Sequence, residues 1–337
     1  MFRMVFTLHH KALAWLSWRR ESGKTVGDRM DIDRLRPVLE EICADMARAT
    51  DRGKVADYIP ELARVDPGQF AMSVCLPNGD QVSVGDALVE FSIQSVSKLF
   101  PLAIGLGRFG EKFWDRVGRE PSTYVFNSVQ ELEARGGIPP NPFVNAGAIV
   151  STDTLLVGAT PKETLAEILQ FVRQAASDEN IYIDPAVAQS EKRTGHRNWA
   201  LAHFLRACEN LHHDCDLILG TYFHQCAIAM TCAQLARCGR FLAGFHPSGA
   251  LISPAHVRSI NALMMTCGHY DGSGEFAYRV GLPSKSGVGG GILAVLPGRA
   301  SIAVWSPGLD AHGNSLLGTA ALEQLSQRLD LSVFSAG

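Results

Sequence analysis

A serine and a lysine three positions apart can form a nucleophile and its base. The stretch FSIQSVSKLF (91–100) supplies one such pair, Ser95 and Lys98. On a helix, positions i and i+3 share a face, so the amine can lie beside the Ser95 hydroxyl. Ser92 and Ser97 do not stand in that relation to Lys98. A serine hydroxyl is a poor nucleophile until a neighbouring group takes its proton, and a desolvated lysine with a lowered pKa can do so. The same residues also suit an ordinary helix start, with a serine N-cap and a surface lysine one turn in.

These side chains need a folded frame, and the composition provides for one. The chain has 337 residues, 46% hydrophobic and 19% charged, which suits a globular protein. A net charge of −3 gives no general attraction for nucleic acid or an anionic membrane. Eight cysteines are scattered without a Cys-x-x-Cys pair. With no secretory leader in view, they read as buried thiols of a cytoplasmic protein rather than a disulfide framework. CENLHHDC (208–215) matches no standard zinc spacing, and no metal is expected. The first 30 residues are apolar but interrupted by His9, His10 and Lys11, and they read as an extension, either mobile or the product of a mispredicted start. Residues 31–337 then form a single domain, with a sheet lobe from 31–94 and 270–337 and a helical lobe from 95–269.

The order of elements supports that division. DIDRLRPVLEEICADMARA (31–49) has helical apolar spacing, and GQFAMSVCLPNGDQVSVGD (68–86) reads as two strands around a Pro77-Asn78-Gly79 turn. Helical periodicity dominates from 100 to 265. GGGILAVLPGRASIAVWSPG (289–308) returns to strand pattern around Pro297-Gly298, and a final helix follows. Strands at both ends with helices between them imply an α+β arrangement, with an antiparallel sheet assembled from distant parts of the chain. GLGRFG (105–110) fits a dinucleotide-loop pattern, but a helix rather than a strand precedes it. SGKT (22–25) resembles a phosphate loop without its first glycine.

The Ser-x-x-Lys pair has a companion in GLPSKSGVGGGI (281–292), where Lys285-Ser286-Gly287 precedes a strand. Serine β-lactamases and penicillin-binding proteins combine the same two features. Together with GKVADYIPELA, NPFVNAGAI, SEKRTGHRN, YFHQCAI, CGHYDGSGEFAYRVG and WSPGLDAHGNS, the chain from 31 to 335 resembles the serine-dependent glutaminases. The resemblance implies a β-lactamase/transpeptidase-like fold and hydrolysis of L-glutamine to L-glutamate and ammonia without a cofactor. It implies Ser95 as nucleophile, Lys98 as general base and Tyr270 as a further catalytic group. The substrate contacts it implies are Tyr58, Ser95, Asn145, Glu191, Asn198, Tyr222, Tyr270 and Val288. A homo-oligomer, dimer or tetramer, is implied as well.

The chemistry of those residue types agrees. Glu191 can pair with the α-ammonium of glutamine, while Asn145, Asn198, Tyr58 and Tyr222 can donate to its carboxylate or orient its amide. Backbone N–H groups at Ser95 and Val288 can meet the oxyanion. Tyr270, beside a cationic lysine, can pass a proton to departing ammonia. Lys285, as a second cation, is expected to lower the pKa of Lys98. Each residue also has an ordinary alternative: half-buried aromatics at Tyr58 and Tyr222, one helix face shared by Glu191 and Asn198, a turn at Asn145, strand core at Val288. His196 and His269 stand where the family commonly has Asp and Met. The competing readings are a β-lactamase or peptidase acting on bulky acyl groups, and an amino-acid-binding sensor without catalysis.

Overall fold

The computed structural model describes residues 30–122, 124–245 and 251–335. The expected extension up to residue 30 and the SGKT stretch lie outside them, apart from Met30. In chain order the helices are α1 Ile32–Ala47, α2 Leu99–Phe109, α3 Val129–Ala134, α4 Asn145–Leu155, α5 Pro161–Ala176, α6 Pro185–Thr194, α7 His196–Ala207, α8 Cys215–Cys226, α9 Cys232–Cys238, α10 Pro254–Cys267, α11 Ser273–Arg279 and α12 Leu316–Leu329. The strands are β1 Ala71–Cys75, β2 Gln81–Gly85, β3 Glu90–Ser92, β4 Tyr182–Ile183, β5 Ile228–Thr231, β6 Ser284–Ser286, β7 Gly291–Leu296 and β8 Ala300–Trp305.

The main sheet has the order β2-β1-β8-β7-β6, antiparallel throughout. It joins the N-terminal hairpin to the C-terminal one through the β1–β8 pairing, in which Met72 faces Val304. Strand residues alternate between its faces. Met72, Val74, Ile292, Ile302 and Val304 pack on Leu35, Leu39 and Ile42 of α1 and on Leu322 and Leu325 of α12. The spacing of the α1 residues is the helical period read from the sequence, and Asp31 caps that helix through its bond from Asp33 N. The opposite face, through Leu293, Val295, Ala303 and Trp305, joins a larger core built with α2, α4, α5 and α8.

Two of those helices are buried on nearly every side. Leu99 through Leu106 of α2 are all buried, as expected of a helix apolar all round, and Ala146 through Leu155 of α4 are buried too, with Ser151, Thr152 and Thr154 bonding back to their own helix and Asp153 pairing with Arg116. The start of each therefore opens into the interior rather than into solvent. One feature had no sequence signal: β3, β5 and β4 form a small second sheet inside the helical region. Its strands are two to four residues long, too short to show an alternation. GLGRFG lies largely within α2 and its C-terminal cap.

Candidate active site

The three serines of FSIQSVSKLF separate by their partners. Ser92 Oγ donates to Cys226 O at 3.0 Å, and Ser97 Oγ accepts from Gln225 Nε2 at 3.3 Å. Ser95 instead lines a cavity of about 200 Å³. Gln94–Lys98 form a 3₁₀ turn ahead of α2 rather than the first turn of an α-helix. With three residues per turn, positions i and i+3 eclipse, which puts Ser95 and Lys98 on one side. Lys98 Nζ donates to Phe143 O at 2.9 Å and to Asn145 Oδ1 at 2.7 Å, and no hydrogen bond joins it to Ser95 Oγ. Asn145, at the start of α4, donates in turn to Asn198 Oδ1 at 2.9 Å.

Glu191 and Asn198 do not share one helix face. Gly195 breaks the chain between α6 and α7, and the two residues reach the cavity from either side of that corner. A β-carbon on Gly195 would lie 2.7 Å from Glu191 O and 2.9 Å from the Phe223 ring, so the corner admits only glycine. Glu191 is buried, and its Oε1 accepts from Gln94 Nε2 at 2.9 Å. The same amide donates to Ser92 Oγ at 3.0 Å. Gln94 itself has a φ of 49°, a left-handed conformation that costs roughly 1–3 kcal/mol at a non-glycine residue.

Burial dominates the electrostatics. It lowers the Lys98 pKa to about 8, against an upward pull from Cys226 and Glu191. It raises Glu191 to about 8, against the Gln94 hydrogen bond and the Lys98 charge. The expected push from Lys285 on Lys98 is absent from these causes. Lys285 is buried between carbonyl acceptors and aromatic rings: Nζ donates to Gly268 O at 3.1 Å and Ser286 O at 2.6 Å and lies 4.6 Å from the Tyr270 ring centre. Burial, then repulsion from Lys98, pushes its pKa well below the ordinary lysine value. Repulsion between the two amines therefore acts on Lys285 rather than on Lys98.

Tyr270 departs from expectation in the same way. Its pKa is raised to about 12 by burial, although the Ser95 and Ser286 hydroxyls nearby act to lower it. Neither completes a hydrogen bond, so the buried phenol is without a partner among the described residues. Its φ of 56° is held by neighbours: Ser273 Oγ donates to Tyr270 O at 2.8 Å, and Asn314 Nδ2 donates to His269 O at 3.3 Å. His269 is buried, bonded to Ser284 Oγ at 2.7 Å and stacked on Phe276, and burial holds its pKa well below the usual value. His196 is an exposed residue at the start of α7.

The β6–β7 turn closes against the turn that carries Ser95. A β-carbon on Gly287 would lie 2.5 Å from Ile93 O and 3.1 Å from Ser95 N, and one on Gly289 would lie 2.1 Å from Ser92 O. Val288, between them, lines the cavity. Neither Ser95 N nor Val288 N donates a hydrogen bond to any described residue. Tyr222 is buried in the wall, and burial raises its pKa well above the usual value. Tyr58 leaves 54% of its surface in solvent, yet it lines the cavity, and burial raises its pKa as well.

All the substrate contacts implied by the sequence except Tyr270 line the cavity, and Tyr270 adjoins it beside Phe126, with ring centres 4.6 Å apart. The sequence reading missed Gln94, Asn127, Arg197 and Cys226 on the lining. Gln94 and Arg197 are each adjacent in sequence to a residue it did name.

Comparison with known proteins agrees over most of the chain. A family model described as glutaminase matches residues 53–334. A glutaminase of Methylobacterium radiotolerans is 59% identical over 303 residues, covering 89% of this chain and 98% of that one. Among solved structures, the probable glutaminase ybaS superposes with a TM-score of 0.86 at 36% identity, covering 91% of this chain and all of the other. A structure titled as Mglu in its glutamate form has a TM-score of 0.82 at 35% identity, over 90% of this chain and 69% of that one. With a family model over residues 53–334, a relative at 59% identity and solved glutaminases that share the antiparallel sheet and flanking helices, the chain belongs to the glutaminase family, whose fold is β-lactamase-like.

Proposed function

We propose that this enzyme hydrolyses the side-chain amide of L-glutamine through an acyl-enzyme on Ser95. The observation that carries the reading is the convergence on one small cavity of Ser95, two uncommitted N–H groups at Ser95 and Val288, and the buried Glu191 carboxylate. Glu191 pairs with the substrate ammonium. Asn198, Tyr58 and Tyr222 face the rest of the amino-acid end.

Neutral Lys98 takes the Ser95 proton as Oγ bonds to the amide carbon. Its resting bonds to Phe143 O and Asn145 Oδ1 hold the amine one turn from the hydroxyl, and catalytic bonds of this kind commonly tighten only once substrate is bound. The oxyanion is met by the two N–H groups. Tyr270, kept protonated by its raised pKa, donates to the leaving nitrogen as the C–N bond breaks. Water then attacks the ester by the reverse route, releasing glutamate and restoring Ser95. The solved relative in a glutamate form supports a product of this shape.

The same reading takes residues 31–337 as one catalytic domain, cytoplasmic and assembled as a dimer or tetramer, supported by the family likeness. No helix among the described residues is long and apolar enough to cross a membrane. Ammonia release from purified protein with glutamine, with asparagine and without substrate tests the reaction, and turnover of a chromogenic β-lactam in place of glutamine would overturn it.

A further inference from the structure

A free amino acid carries an ammonium and a carboxylate at its α-carbon, and the cavity lining holds one carboxyl side chain, Glu191, and one guanidinium, Arg197. Arg197 is exposed, at the first turn of α7, and makes no ion pair or hydrogen bond with any described residue. Arg328, also at the surface, pairs instead with Glu41 and Asp45. An unpaired guanidinium on a cavity wall is a donor fork awaiting an anion.

Its position is fixed rather than accidental. Asn198 N donates to Gly195 O at 2.9 Å and Gly195 N to Glu191 O at 2.8 Å, so the α6–α7 corner ties Glu191 and Arg197 into one bend. Phe223 blocks any side chain at Gly195 and keeps that bend tight. Glu191 points inward and is buried, while Arg197 stays at the solvent side.

We propose that Arg197 is a specificity-determining residue that binds the α-carboxylate of glutamine at the mouth of the cavity. This rests on the glutaminase reading above. The neutral donors Asn198, Tyr58 and Tyr222 can orient a carboxylate, but they cannot distinguish it strongly from a neutral ester, whereas a guanidinium can. Because Arg197 is solvent-exposed, its pull is screened by salt.

The test compares L-glutamine with its α-methyl ester, whose side-chain amide is unchanged, on wild type, Arg197→Gln and Arg197→Lys. For glutamine, Arg197→Gln is expected to raise KM about tenfold with kcat nearly unchanged, in keeping with loss of one charge-assisted contact. For the ester it should change little, so the preference for the free acid collapses, and Arg197→Lys should restore part of it. The wild-type KM for glutamine should also rise with ionic strength, and that of Arg197→Gln should not. An acid-over-ester preference equal in wild type and Arg197→Gln would overturn the proposal, as would equal losses on both substrates. If wild type released no ammonia from glutamine at all, the glutaminase reading itself would fall instead.

Discussion

Two lysines, Lys98 and Lys285, lie fully buried near the cavity, and they are not equivalent. Lys98, on the 3₁₀ turn, keeps a side-chain amide oxygen and a carbonyl as acceptors and has Glu191 near enough to raise its pKa. Lys285, on β6, has two carbonyls and two aromatic faces around it and no carboxylate among the causes of its shift. Burial pushes both amines toward neutrality, while Cys226 and then Glu191 pull back on Lys98, which settles at about 8. A base near 8 can be discharged and recharged within one turnover at working pH. Lys285, its pKa pushed well below the ordinary lysine value, is a strap that joins Gly268 and Ser286 through its two donated bonds.

The largest expected effect falls on the turn. Ser95→Ala should reduce ammonia release from glutamine below about 1% of wild type, given the roughly 10⁶-fold scale of nucleophile losses in serine hydrolases. Its melting temperature should stay near that of wild type. Higher residual activity would move the nucleophile to Ser92 or Ser97, both of which spend their hydroxyls on structural bonds.

Lys98→Arg keeps the charge but cannot act as a base, so turnover should fall by about 10²–10⁴ while glutamine still raises the melting temperature. In wild type, kcat should climb as pH rises through about 8, where Lys98 gives up its proton. Tyr270, pushed up to about 12, is too weak an acid to set the first alkaline fall, which belongs to the substrate ammonium. If Lys98→Arg kept most of its activity across this range, Lys98 would be an electrostatic support only.

Glu191→Gln should raise KM for glutamine about tenfold or more, through loss of a charge-assisted bond of roughly 1.5–3 kcal/mol. It should also stabilise the folded protein at the upper end of a defined pH window. Glu191 has a folded pKa of about 8 against an ordinary 4.5, so the unfolded chain releases this proton first. Wild type therefore loses stability from about pH 4.5 to about 8 relative to the variant, which carries no such proton. Parallel melting curves over that range would show Glu191 to be ionised in the fold from the outset.

The comparison itself is tested by Lys285→Met, the smallest effect on chemistry. Two buried carbonyls lose their donor, each worth about 1–3 kcal/mol, so the melting temperature should drop by several degrees. The acid limb of kcat should stay near its wild-type pH. A shift of that limb to higher pH would show that Lys285 is charged and does push Lys98 down.

Much of this was legible without coordinates because it is local. The α1 period, the two hairpins and the Ser95–Lys98 spacing each depend on residues a few positions apart, and the motif order pointed to the family. Ser95 was nameable as the proposed nucleophile, though not as part of a 3₁₀ turn, since the α and 3₁₀ forms differ by one hydrogen-bond step and share the i, i+3 relation. The Gly195 break was hidden too, because Glu191 and Asn198 seven apart satisfy a continuous helix as well as a bend.

What the tertiary structure alone decided is which polar groups meet in the dark. Gln94 reaches Glu191 across 97 positions, and Lys98 reaches Asn145 across 47. Sequence spacing sets residue types and local periods. The pKa of a buried amine or carboxyl depends instead on how much water is removed and which charges remain, and both follow from long-range packing of α4, α6 and the β6–β7 turn around one serine.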